Sequence, residues 1–170
     1  ESKNYWENLI KTTKHRVIGY INTACGSDLF MPLQNGNLSD EEYAALPSLK
    51  DADALTLAKE IYGVLDEKKG HDLKILEVGE KTVLCEYFVF VTGNSSTQLQ
   101  AMAGELEHRL ALRGVKPYHI EGRDNQSWIV ADYSEVIVHL FSRDARSFYN
   151  LDKLYGDAKE IEMPRDEEAQ

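Results

Sequence analysis

The glycine turn Thr92-Gly93-Asn94-Ser95-Ser96 joins an apolar run to a helical stripe. A chain can offer backbone N–H groups and a helix N-terminus to an anion at such a place, and phosphate chemistry is what it would serve. The turn has neither the GxGxxG spacing of a dinucleotide site nor a Lys-Thr or Lys-Ser after it, and a capped helix start following a buried strand explains the same residues. Nucleotidyl transfer would also need carboxylates at i and i+2 on the next strand, both pointing at one pair of metal ions. That strand carries Glu121, but position 123 is Arg123, and Asp132 stands alone between Val130 and Ser134. The sequence pattern for metal-assisted phosphoryl transfer is missing.

Histidine and cysteine chemistry fare no better. His119 and His139 fall on neighbouring predicted strands and could approach each other, yet neither has a Cys, Asp or Glu at metal-ligand spacing. A histidine in that setting is ordinarily a packed or hydrogen-bonded residue. No GxSxG elbow is present for Ser-His-Asp chemistry. Cys25 and Cys85 lie sixty positions apart with no CxxC, which reads as free thiols in a reducing compartment rather than a disulfide framework or zinc site. No metal, cofactor or catalytic residue is assigned.

The aromatic residues offer a different chemistry, that of binding. Trp128 follows a polar turn on a strand of small or β-branched residues, and Tyr149 falls off the Phe148–Leu151–Tyr155 stripe of the last helix, so its ring should face outward. Exposed Trp and Tyr supply the anchors of protein interfaces. A Trp filling the core and a Tyr snorkelling at the surface fit the same pattern, and composition leaves both readings open.

The elements that hold these residues follow from periodicity. Trp6, Leu9, Ile10, Val17 and Ile21 predict an amphipathic helix over residues 4–22, then a turn-rich stretch and a capping box at Ser39–Glu42 with a short helix closed by Pro47. Leu55, Ala58, Ile61 and Leu65 predict a helix stopped by Gly70. Leu73–Val78 is a strand, and Tyr87–Val91 a central strand buried on both faces. Ser95 and Gln98 form a second capping box, followed by the stripe Leu99, Met102, Ala103, Leu106, Leu110, with Gly114 ending the helix. Three strands (118–121, 127–133 and 136–141, the last two tightly joined at Ser134-Glu135) precede a helix over 144–155. Beyond Asp157 a charged, frayed tail is expected. The sum is an α/β fold: a mixed five-stranded sheet with flanking helices. Its parts are an extension over 1–50, a domain over 51–158 and a tail over 159–170.

The chain has 170 residues, 19 Lys+Arg against 29 Asp+Glu and a net charge of −10, which argues against gripping a phosphate backbone directly and leaves room for a basic protein partner. The domain carries most of that acidity, −7 in residues 54–170 against −3 before them. No stretch nears the roughly 18 apolar residues of a membrane span. Glu1–Ile10 lacks the apolar core of a secretory leader, and the absence of an initiating Met suggests a processed chain or part of a longer one.

Several blocks stand together in one order: Asp72–Val78, Tyr87–Gln98, Glu121-Gly122, Trp128–Tyr133, Val136–Phe141 and Arg146–Leu154. Over about residues 54–158 the chain resembles the ribosomal silencing factor family (RsfS, also called Iojap). The resemblance implies a fold related to nucleotidyltransferases but without their catalytic carboxylates, and a cytoplasmic, non-enzymatic translational repressor. Such a protein binds ribosomal protein L-fourteen on the large subunit, blocks joining of the small one and commonly forms homodimers. It carries the partner-contacting tryptophan and tyrosine onto Trp128 and Tyr149, with Phe148 and Tyr155 beside them. The chain departs from the family with Cys85-Glu86 before the central strand, Ser127 before the Trp, and Tyr155 where a Trp often ends the last helix. The competing reading is a nucleotide-binding or nucleotidyl-transferring enzyme using the Gly93–Ser96 turn.

Overall fold

A computed structural model describes residues 38–163. The helix expected over 4–22, the stretch after it and Cys25 lie outside the described residues. In chain order the elements are α1 (Asp40–Ala44), α2 (Ala54–Glu67), β1 (His71–Glu77), β2 (Tyr87–Gly93), α3 (Ser96–Leu112), β3 (His119–Glu121), β4 (Trp128–Asp132), β5 (Val136–Ser142), α4 (Arg143–Tyr149), α5 (Leu151–Leu154) and β6 (Lys159–Ile161).

The strands form one mixed sheet in the order β3-β4-β5-β2-β1-β6. Among the described strands only β2 and β5 run parallel; the other neighbours are antiparallel. The expected five strands are present and a sixth is added. It comes from residues read as tail: Ile161 pairs with Ile75 and Lys159 with Glu77. Ile161 and Met163, two apart and so on one face, pack against the core. β6 also covers the β1 edge, whose backbone groups would otherwise be left for another chain to pair with.

The two sheet faces have different coverings. On one, Ile75, Val89, Val91, Ile129, Ala131, Val138 and Leu140 meet the buried residues of α2 and α3. The expected α3 stripe is wholly buried, and Gly93 lies close enough beneath it that a Cβ there would press on the Leu99 and Met102 side chains. The other face holds Leu76, Phe88, Phe90 and Phe141 beneath α4, α5 and the chain leading to β6.

Part of the stretch set apart as an extension is packed on the first of these layers. Ser39 and Glu42 make the reciprocal capping box that starts α1. Tyr43, Leu46 and Leu49 are all at most 5% exposed, so residues 38–50 bury a small core of their own against Leu112 and feed Leu49 into the main one. This layer lies across the sheet from Trp128, so residues 38–50 do not cover the aromatic face.

Candidate functional site

Register decides which side chains share the aromatic face. Trp128 stands opposite Phe141, Val130 opposite His139 and Asp132 opposite Ile137. Directly opposed residues point to one side of a sheet, so these six form a continuous surface. The turn before Trp128 is tightly specified: Gly122 has φ +80°, and a Cβ on it would run into the Trp128 carbonyl. Asn125 Oδ1 accepts from the Ser127 N–H at 3.0 Å, and Ser127 O accepts from the Ser142 N–H at 2.7 Å. Trp128 is thereby delivered half-buried onto Phe141, with ring centroids 5.1 Å apart.

The last helix does not run unbroken over 144–155. Asn150 adopts the left-handed conformation (φ 46°, ψ 50°) and separates α4 from α5. The break changes the helical phase. Phe148, expected on the buried stripe, is 81% exposed, while Ala145 is buried in its place. Leu151 and Tyr155 pack inward, Tyr155 edge-on to Phe88 at 5.0 Å. Tyr149, expected to face outward, is 49% exposed and lies 4.5 Å from Trp128, with Phe148 edge-on to it at 5.1 Å. The structure therefore brings Trp128, Tyr149 and Phe148 together and seats Tyr155 farther along the same array, in its supporting layer. Arg146 anchors the break: its guanidinium grips Asp152 with two hydrogen bonds of 2.7 and 2.9 Å and also donates to the Asp72 carbonyl and Thr92 Oγ1. That pairing holds the Asp152 carboxyl below its usual range. Asn150→Val, placing a β-branched residue at this left-handed position, should cost about 1–2 kcal/mol in urea unfolding, whereas Asn150→Gly should be nearly neutral.

His139 is the packed, hydrogen-bonded residue that its sequence setting predicts. It does not approach His119, because β4 lies between β3 and β5; His119 is exposed and bonded to Glu121 at 2.9 Å. His139 is buried, and its Nδ1 accepts the Trp128 indole N–H at 3.2 Å. Burial alone pulls its pKa from 6.5 down to about 4. The unfolded ring thus takes a proton at a higher pH than the folded one, so acid favours unfolding across that interval. Stability should fall by about 3 kcal/mol between pH 7 and 4 from this group, and His139→Asn should remove that part of the slope in urea titrations.

The Gly93 turn is engaged internally. Gln98 Oε1 accepts from the Asn94 N–H at 2.7 Å, and Ser95 Oγ caps the Gln98 N–H at 3.1 Å. The expected box is therefore one-sided, because the Gln98 amide reaches past Ser95 and also donates to the Lys68 and Lys69 carbonyls. Cys85 is a free, buried thiol pushed up to about 12 by burial, so it is no nucleophile at neutral pH. Among the described residues, no cluster of three or more His, Cys, Asp and Glu could hold a metal ion, and no helix is long and apolar enough to cross a membrane.

Residues 51–170 match the family model described as ribosomal silencing factor during starvation. The chain belongs to the ribosomal silencing factor family. It is 38% identical over 93 residues to the ribosomal silencing factor RsfS of Bacillus subtilis, covering 55% of this chain and 79% of that protein. A mouse protein named mitochondrial assembly of ribosomal large subunit protein 1 is 26% identical over 98 residues, 56% of this chain and 43% of its own length. A crystal structure of a protein from Chromobacterium violaceum superposes with a TM-score of 0.59 at 26% identity, covering 66% of this chain and 91% of that one. The family match takes in β6, the aromatic face and the α4–α5 break, but starts after α1.

Proposed function

We propose that this silencing factor is a non-enzymatic translational repressor. It docks on the large ribosomal subunit through Trp128, Tyr149 and Phe148, contacts ribosomal protein L-fourteen, and sterically keeps the small subunit from joining. The observation that carries this reading is the aromatic triplet at the surface, in which half-buried Trp128 on β4 lies 4.5 Å from the Tyr149 ring on α4. Trp and Tyr in such a setting are the residue types that anchor interfaces at low entropic cost. Family membership supports the ribosome as the target, and the mouse relative's name supports its large subunit. The same reading places the protein in the cytoplasm as a homodimer.

Gradient sedimentation tests it. The full chain should travel with large subunits and, when added before small subunits, lower the yield of joined ribosomes. Normal joining at saturating protein would overturn the reading. With a net charge of −10, the approach to a basic ribosomal protein should be steered by charge. Raising salt from about 50 to about 300 mM should slow association roughly tenfold and leave dissociation nearly unchanged in surface-immobilised binding kinetics. Association rates indifferent to salt would remove the electrostatic part.

A further inference from the structure

We propose that His139 is the positioning residue of the docking surface: its Nδ1 accepts the Trp128 indole N–H and so fixes which edge of the indole meets the partner. The inference rests on the docking role proposed for Trp128.

Donor chemistry sets the tautomer. An indole N–H can only donate, so the His139 Nδ1 that receives it at 3.2 Å carries no proton, and the neutral ring keeps its proton on Nε2. That Nε2 is buried and has no hydrogen-bond partner among the described residues. Its ring instead meets Phe88 edge-to-face at 4.9 Å and Phe90 at 5.4 Å, and lies parallel to Phe141 at 5.8 Å. A Leu or Phe at 139 would fill this aromatic nest with no buried donor left over, a state that is costly in a protein interior. What a histidine adds over either is the acceptor for Trp128. A charged ring is also unsuited to the place: Arg146, whose guanidinium lies 5.4 Å from the Phe90 ring centroid, already supplies a cation on that side and is itself paired with Asp152.

The bond has a consequence for recognition. With its N–H turned inward to a buried acceptor, Trp128 offers the partner hydrocarbon edge and ring face beside Tyr149, and no donor. The matching surface on the partner is therefore an apolar recess that needs no acceptor for the indole, and Trp128→Phe should keep much of the binding that Trp128→Ala loses.

The test uses the full chain carrying Trp6→Phe, which leaves Trp128 as the sole tryptophan of two. In nitrogen-labelled protein the indole N–H resonance should be shielded from solvent exchange. His139→Asn, whose Oδ1 can take the place of Nδ1, should keep that protection, and His139→Leu should lose it. Co-sedimentation with purified large ribosomal subunits should weaken about tenfold for His139→Leu and stay within about threefold for His139→Asn. On a Trp128→Phe background, which has no N–H to orient, His139→Leu should cost nothing more. A purely structural role would produce neither the rescue nor this dependence on the indole. Unprotected exchange in the parent protein, which requires no substitution at 139, would overturn the inference. So would wild-type binding by a folded His139→Leu protein when Trp128→Ala binds poorly. Undiminished binding by Trp128→Ala/Tyr149→Ala is a distinct failure: it would overturn the docking reading while the indole resonance still reported the hydrogen bond.

Discussion

Trp128→Ala/Tyr149→Ala is expected to weaken co-sedimentation with large subunits by about a hundredfold or more while the protein stays folded. Central Trp and Tyr anchors each contribute about 2–4 kcal/mol to interfaces when truncated. Their rings are 4.5 Å apart, so the two losses overlap, and about 3 kcal/mol for the pair already gives the hundredfold. Folding should suffer less. Tyr149 is half-exposed on a helix surface, and only the Trp128 contacts with Phe141 and His139 are lost from the interior. Tyr118→Ala is the control: that ring is 81% exposed, just ahead of β3, and belongs to no part of the aromatic face. Full co-sedimentation of the double variant would show that the surface has been misassigned. Equal losses for Tyr118→Ala would show that any exposed ring matters, and the specific patch would then lose its support.

Most of what positions this patch could be read from the sequence because the signals are local. The α3 stripe, the buried β2 run and the Ser134-Glu135 connection each declare themselves within one element. What could not be read depended on single backbone conformations or on distant partners. Periodicity puts Phe148 on the buried side, but one left-handed residue, Asn150, resets the helical phase, and no pattern averaged over a dozen residues registers that. β6 lies inside a charged stretch, where the spacing of Ile161 and Met163 is only a faint sign of a strand. The pairing of Trp128 with His139 exists only once β4 and β5 are in register. Residues 38–50 looked detached because the groups they bury against, Leu112 and Arg113, come more than sixty positions later.

Arg113 is a strong lever on stability. Its side chain is completely buried, Nη1 donates to Glu60 at 2.9 Å, Nε donates to the Pro47 carbonyl at 3.0 Å, and the guanidinium lies 5.4 Å from the Tyr43 ring centroid. Its own carbonyl accepts from the Leu49 N–H, so the residue ties α2, α3 and residues 43–49 into one unit. Glu60→Ala removes the carboxylate that neutralises this buried cation and should cost about 3–5 kcal/mol in urea unfolding. Glu60→Leu/Arg113→Met should cost far less, because two apolar side chains of similar volume avoid desolvating either charge. Arg113→Lys should fall between, since an ammonium keeps the charge but cannot serve Glu60 and Pro47 with one planar fork. A loss below about 1 kcal/mol for Glu60→Ala would mean that the ion pair is dispensable to the fold. The unit lies on the sheet face away from Trp128, so folded variants of this set should co-sediment with large subunits as the parent does. Docking would then belong to the aromatic face alone, with the charged clasp acting on stability and not on docking.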